Sequence, residues 1–112
     1  MHMIEAVIRP SSIDGIKTKL SELGILGCTA IEVKGFGKQK GHTERYRGGR
    51  MDVGFVPKVL LKIAVREEDL DKAIEVIVTA GRTGAAGDGK VFVYPLSRVV
   101  RIRTGEMDND AL

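Results

Sequence analysis

Residues 34–58 read Lys34-Gly35-Phe36-Gly37-Lys38-Gln39-Lys40-Gly41-His42-Thr43-Glu44-Arg45-Tyr46-Arg47-Gly48-Gly49-Arg50-Met51-Asp52-Val53-Gly54-Phe55-Val56-Pro57-Lys58. A strand-like pattern stops at the start of this stretch and another resumes at its end. Between them, residues 35–54 hold six glycines and no apolar residues at helical or strand spacing. Two successive strands are therefore joined by a long loop. Compact domains rarely carry structureless connections beyond ~12–15 residues unless these are functional or disordered, which makes this segment the first place to look for purpose. Residues 36–56 carry Lys38, Lys40, Arg45, Arg47 and Arg50 against Glu44 and Asp52, a balance of +3, while the 13 cations and 13 acids elsewhere cancel. So local a field points to an anionic or carbonyl-rich partner. It is narrower than a usual nucleic-acid footprint. Tyr46 and Arg47, near the loop's centre, are residue types that anchor protein interfaces when exposed.

Outward from the loop, the elements follow from periodicity. Met3–Ile8 is apolar on both alternations and ends at Pro10, as a central strand does. After Ser11 or Ser12, either a plausible helix cap, Ile13, Ile16, Leu20 and Leu23 recur at helical spacing before Gly24. Thr29–Lys34 reads as a second strand and Lys58–Val65 as a third, with Val59, Leu61, Ile63 and Val65 on one face. Behind the acidic start Glu67-Glu68-Asp69, which suits the positive end of a helix, Leu70, Ala73, Ile74, Ile77 and Val78 make a second amphipathic stripe ending at Gly81. Lys90–Tyr94 is a fourth strand and Val99–Arg103 a short fifth at the C-terminal end. The order predicts an α+β, ferredoxin-like βαββαβ fold in a single domain of residues 1–112. Right-handed crossovers put both helices on one sheet face. Both alternations of the first, third and fourth strands are apolar, so the helix-free face is expected to meet another copy of the chain.

Composition narrows the function. The lone Cys28 cannot form an internal disulfide, fits a reducing compartment, and is expected to be a small buried residue. No apolar run approaches the ~18 residues that span a bilayer and the N-terminus lacks a signal-peptide pattern. A cytoplasmic protein without direct membrane insertion is expected. His2 and His42 are isolated, with no zinc-like spacing. No nucleophile and base pair is visible, so no enzymatic activity is expected. An RNA-recognition module shares the element order but needs exposed aromatics on its strands; only Phe92 and Tyr94 qualify, and no nucleic-acid partner is expected.

The remaining chemistry lies in residues 82–90, Arg82-Thr83-Gly84-Ala85-Ala86-Gly87-Asp88-Gly89-Lys90. Gly84 to Lys90 spells G-x-x-x-x-G-K, yet it follows a helix, opens a strand, and continues with Val91 in place of Ser or Thr, so it is not a P-loop. Consecutive small residues can still turn backbone N–H groups toward an anion beside Lys90; a tight helix-to-strand turn uses glycine equally well. Arg101 and Arg103, two apart on a strand, would point to one side roughly 6.6 Å apart, from the ~3.3 Å rise per residue. That suits adjacent phosphates, although cations also protect a solvated edge strand. With Lys90 and Lys38 they make a polyphosphate cradle, which points to a site between subunits.

Lys34-Gly35-Phe36-Gly37, Gln39-Lys40-Gly41-His42-Thr43-Glu44, Tyr46-Arg47-Gly48, Pro57-Lys58, Arg82-Thr83-Gly84, Gly87-Asp88-Gly89-Lys90 and Arg101-Ile102-Arg103-Thr104-Gly105-Glu106 resemble, in order and spacing, the PII family of nitrogen-regulatory signalling proteins. The resemblance runs nearly end to end. It implies a homotrimer that binds ATP or ADP in clefts between subunits and senses 2-oxoglutarate beside magnesium-ATP. Carried over by matching positions, Gly37, Lys38, Gly87, Asp88, Gly89 and Lys90, with Arg101 and Arg103 from a neighbour, would hold the nucleotide, and Thr29 and Ala64 would line the adenine pocket. Gln39 would ligate magnesium. Arg9, Gln39, Lys40, Gly41, Lys58 and Gly87 would surround 2-oxoglutarate. Residues 36–56 would be the family's T-loop, 82–90 its phosphate loop and 102–112 its C-terminal loop and tail. Tyr46 and Arg47 would contact a protein target such as an ammonium transporter. Where many bacterial members carry Tyr for nucleotidylation or Ser for phosphorylation, this chain has Met51 and Gly49, which have no hydroxyl to modify. A paralogue answering nucleotide plus another metabolite such as bicarbonate, and serving a different transporter or enzyme, is the alternative.

Overall fold

The structure, a computed structural model, describes residues 1–37 and 54–112. Lys38, Gln39, Lys40, Gly41, Tyr46 and Arg47, with most of the expected loop, lie outside the described residues. Strand β1 (His2–Ile8) buries Ile4, Ala6 and Ile8, every second residue, as a strand's two-residue period requires. Arg9 stays extended ahead of Pro10, which starts a 3-10 turn over Pro10–Ser12. Helix α1 (Ile13–Glu22) follows and buries Ile16 and Leu20. Ser12 occupies its cap position without a side-chain cap hydrogen bond, because the preceding 3-10 turn already leads the backbone into the helix. The helix closes with the Gly24 N–H donating to Ser21 O and the Ile25 N–H to Leu20 O, the paired bonds that absorb carbonyls orphaned at a helix end.

Strands β2 (Thr29–Phe36) and β3 (Phe55–Val65) form a long antiparallel ribbon. The ribbon runs further toward the loop than periodicity predicts. Gly35 pairs with Val56 and Phe36 with Phe55, whose rings lie 5.5 Å apart. That contact is non-local, and neither single-strand pattern contains it. A 3-10 turn over Glu67–Asp69 leads into α2 (Leu70–Gly81), and β4 (Lys90–Pro95) completes a sheet of order β2-β3-β1-β4. The two helices pack on one face over a core that includes Ile4, Leu61, Ile63, Ile16, Leu20 and Ile77. Each fully buried aliphatic side chain contributes about 1.5–3 kcal/mol.

The other face carries no helix. Residues paired across antiparallel strands share a face, so the register groups Met3 with Ala64 and Tyr94, Glu5 with Lys62 and Phe92, and Val7 with Leu60 and Lys90. Ile31 and Thr29 of β2 join them. Ile31, Phe92 and Tyr94 are exposed. The polar groups on this face satisfy one another, with the Tyr94 hydroxyl donating to Glu5 Oε2 at 2.6 Å and Lys62 Nζ standing 3.7 Å from the same oxygen. The Glu5 hydrogen bond pushes the Tyr94 phenol up.

Two expectations need correction. Val99–Arg103 is not a strand. Val100 and Met107 form an isolated bridge closed by a turn over residues 102–104, and Gly105 N–H donates to Arg101 O at 2.7 Å. Residues 99–103 double back on themselves and, among the described residues, pair with no strand of the sheet. Arg101 and Arg103 therefore do not share one strand face. Cys28 is exposed, because it sits in the connection between α1 and β2, and connections run over the surface.

Candidate functional site

The site begins where β1, β3 and the 82–89 loop converge. Arg9, held extended by the proline after it, reaches across 79 residues of sequence and donates from Nε to Asp88 Oδ1 at 3.1 Å. Its Nη2 donates to Ala86 O at 2.9 Å. Asp88 in turn gathers its own loop. The Thr83 and Gly84 N–H groups donate to Oδ2 at 2.8 Å each, and the Thr83 hydroxyl donates to Oδ1. These bonds, Thr83's first and then those of Gly84 and Arg9, hold the Asp88 carboxyl well below the usual carboxylate range. It is a permanent anion whose charge is spent on loop closure. The groups of this loop left to face an anion are its backbone N–H groups and its cations.

Gly89 fixes where the loop meets the sheet. Its φ is +106°, and an added Cβ would sit 1.8 Å from Val7 O, so no other residue fits without moving backbone. Lys90, the next residue, is exposed and pairs with Val7 at the start of β4.

Lys58 is the buried cation of the site. Only 6% exposed, it donates from Nζ to Gly87 O at 2.5 Å. Burial, then the Arg9 charge, pushes its pKa down, while Asp88 pulls the other way. A buried ammonium beside a guanidinium, with one carboxylate shared between them, is under-neutralised. Charge burial is costly unless paired, so a small anion arriving here would be stabilised by both cations. Arg9, Lys58, Gly87, Asp88 and Gly89 thus form one constellation.

Thr29, Ala64 and Arg101 form another. They line a cleft of about 1020 Å³ with Lys62, Arg66 and residues 111–112. Arg101 Nη1 donates to Glu106 Oε1 at 2.7 Å, and Thr104 Oγ1 donates to the same oxygen at 2.9 Å. Arg103 lies exposed in the hairpin turn. By register, Met3, Ala64 and Thr29 mark one end of the sheet and Ile8, Lys58 and Lys90 the other. From Met3 to Arg9 is roughly 20 Å at ~3.3 Å per residue. Within one chain the two constellations therefore lie at separate ends of the sheet.

Gly37 lies just past β2, and Gln39, to which the magnesium expectation attaches, is outside the described residues. Among the described residues no cluster of His, Cys, Asp and Glu could hold a metal ion. None of their helices is long and apolar enough to cross a membrane. Sequence reading missed three participants. Thr83, five residues before Asp88 in a Gly-rich segment, carried an ST-turn signal. Glu106 was visible as a hairpin partner of Arg101 only once the turn was known. Arg66, whose Nη2 donates to Asn109 O at 2.8 Å, had none.

The family model described as Nitrogen regulatory protein P-II matches residues 1–106. Over all 112 residues, and the whole length of each relative, the chain is 52% identical to the nitrogen regulatory protein P-II of Pasteurella multocida (strain Pm70) and 51% to that of Haemophilus influenzae. It is 48% identical, again over both full lengths, to nitrogen regulatory protein P-II 1 of Escherichia coli (strain K12).

Proposed function

The chain belongs to the nitrogen regulatory protein P-II family, and on that premise we propose how it carries a nitrogen signal. It acts as a regulator rather than an enzyme. Three copies associate through their helix-free faces, and each contact brings the phosphate-loop half-site of one copy against the Thr29, Ala64 and Arg101 half-site of the next. ATP or ADP bridges the halves. Lys90, the 87–89 backbone, Lys38 and the neighbour's Arg101 and Arg103 hold phosphates, and the neighbour's Thr29 and Ala64 border the base. Gln39 ligates magnesium, a hard cation that takes oxygen donors and shares them with phosphates. Arg9 and Lys58 pair with a carboxylate of 2-oxoglutarate.

The observation that carries this reading is the buried Lys58 ammonium beside Arg9, bonded to the phosphate loop at Gly87. Its donor chemistry fits a compact carboxylate. Because Lys58 and Gly35 belong to the ribbon that leads into residues 38–53, occupancy is coupled to the loop's root. Ligands that favour different loop conformations shift their populations, and loop conformation selects the protein target. An ammonium transporter is the proposed target. Met51 and Gly49 leave the signal to ligands alone at those positions.

Isothermal titration with magnesium-ATP and then 2-oxoglutarate tests the reading on the oligomer. Nucleotide binding is expected first, with 2-oxoglutarate binding only after it. A monomer indifferent to adenine nucleotides overturns the proposal. Nucleotide binding without any 2-oxoglutarate response moves the effector to another small anion such as bicarbonate.

A further inference from the structure

We propose that Gly35 is a positioning residue for Lys58: the side chain it lacks leaves room for the lysine stem, and so sets where the ammonium stands for an incoming carboxylate. Glycine is a poor choice inside a strand, since it gives up the most backbone freedom on folding and has nothing to pack. The backbone of Gly35 does not ask for it. Gly87 and Gly89 adopt positive φ and Gly35 does not, and it pairs with Val56 in the regular β2–β3 register. Its surroundings do ask for it. The three atoms nearest to a Cβ added at Gly35 all belong to one side chain, Lys58 Cγ at 3.1 Å, Cε at 3.7 Å and Cδ at 4.0 Å. A Cβ added at Gly37, just past the strand, would meet nothing within 4 Å.

The register explains the contact. Lys58 pairs with Val33, and Gly35 lies two residues further along β2 on the same face, so the lysine stem passes over the empty position. Its far end is tied down, with Nζ donating to Gly87 O at 2.5 Å and the residue only 6% exposed. The strand beneath has little freedom to step aside. One position on, Phe36 pairs with Phe55 with ring centroids 5.5 Å apart, and the Phe36 ring fills the space a Gly54 side chain would take, with Cε1 only 1.7 Å from an added Cβ. Carbon atoms in contact prefer about 3.5–4.0 Å, so a methyl at position 35 displaces the stem. The ammonium then leaves the place it holds beside Gly87.

The functional consequence rests on the 2-oxoglutarate reading above, whereas the geometry does not, and the test keeps the two apart. In the full-length protein with isotope-labelled lysine and no ligand, the Lys58 Cε resonance, assigned by its loss in Lys58→Ala, should move in Gly35→Ala. Isothermal titration with 2-oxoglutarate in magnesium-ATP then compares the unsubstituted protein, both single variants and the double variant. Gly35→Ala is expected to weaken binding about three- to tenfold, the scale of a displaced charge-assisted bond, and to change it less than about twofold once Lys58 is Ala. Any loss of urea stability in Gly35→Ala should likewise vanish in the Lys58→Ala background, where the stem is gone. A resonance that stays in place, equal weakening in both backgrounds, or a stability loss that persists without the stem refutes the positioning role and leaves the 2-oxoglutarate reading standing. If the unsubstituted protein itself does not bind 2-oxoglutarate, that reading fails, and the resonance and urea results alone decide whether Gly35 places Lys58.

Discussion

The two ends of the sheet are assembled on opposite plans. At the Lys58 end, Arg9 meets Asp88 and Lys58 meets Gly87 across long sequence separations, partly buried, while Thr83 ties Asp88 in from within the loop. At the Arg101 end, the ion pairs are short-range and exposed, Arg101 with Glu106 and Arg98 with Asp108. The first end has its geometry before any ligand arrives. The second can give up its partners cheaply. In the proposed site between copies, a fixed wall would meet a yielding one, and binding energy at the fixed wall would go into contact rather than rearrangement.

The contrast is most open to attack at its glycines. Gly89→Ala forces a methyl into Val7 O and should cost ~3 kcal/mol or more in urea denaturation. Gly105→Ala, also at positive φ but with nothing within 4 Å, should cost only about 1 kcal/mol. Equal costs would erase the distinction. Next in size is ligand binding. Lys58→Met should weaken 2-oxoglutarate binding by tens-fold, the scale of a lost charge-assisted bond, and leave nucleotide binding largely intact. Calorimetry on the same sample reads both.

Acid titration sharpens the comparison further. Asp88 is depressed in the folded state, so its contribution is complete above the unfolded value of about 3.9 and disappears as pH falls below it. The melting temperature of the unsubstituted protein should drop more steeply from about pH 4 to pH 2 than that of Asp88→Asn. Parallel curves would remove Asp88 as the organiser of the loop. The smallest effect belongs to the yielding end. Arg101→Ala should change stability by no more than about 1 kcal/mol, as exposed ion pairs do, while weakening nucleotide binding several-fold.

Sequence alone carried the helices and the strand order because both rest on local periods, and Ile16, Leu20, Ala73 and Ile77 are buried as those periods require. It could suggest that Gly84–Lys90 makes an anion-binding turn but not that the Asp88 carboxylate turns back onto Thr83 and Gly84 and there meets Arg9 from the far side of the chain. Alternation also misread residues 99–103. A strand needs a neighbour, and alternation says nothing about whether one is there. The Phe36–Phe55 pair and the Arg66–Asn109 bond escaped for the same reason, being contacts between segments with no shared local signal.

Strand β3 carries a residue of each constellation, Lys58 near its start and Ala64 near its end. In the proposed ring of three, every such rod would have a different ligand at each tip. A push along one rod is then felt next door, so successive ligands should meet unequal welcomes, and three identical pockets need not count as three separate votes.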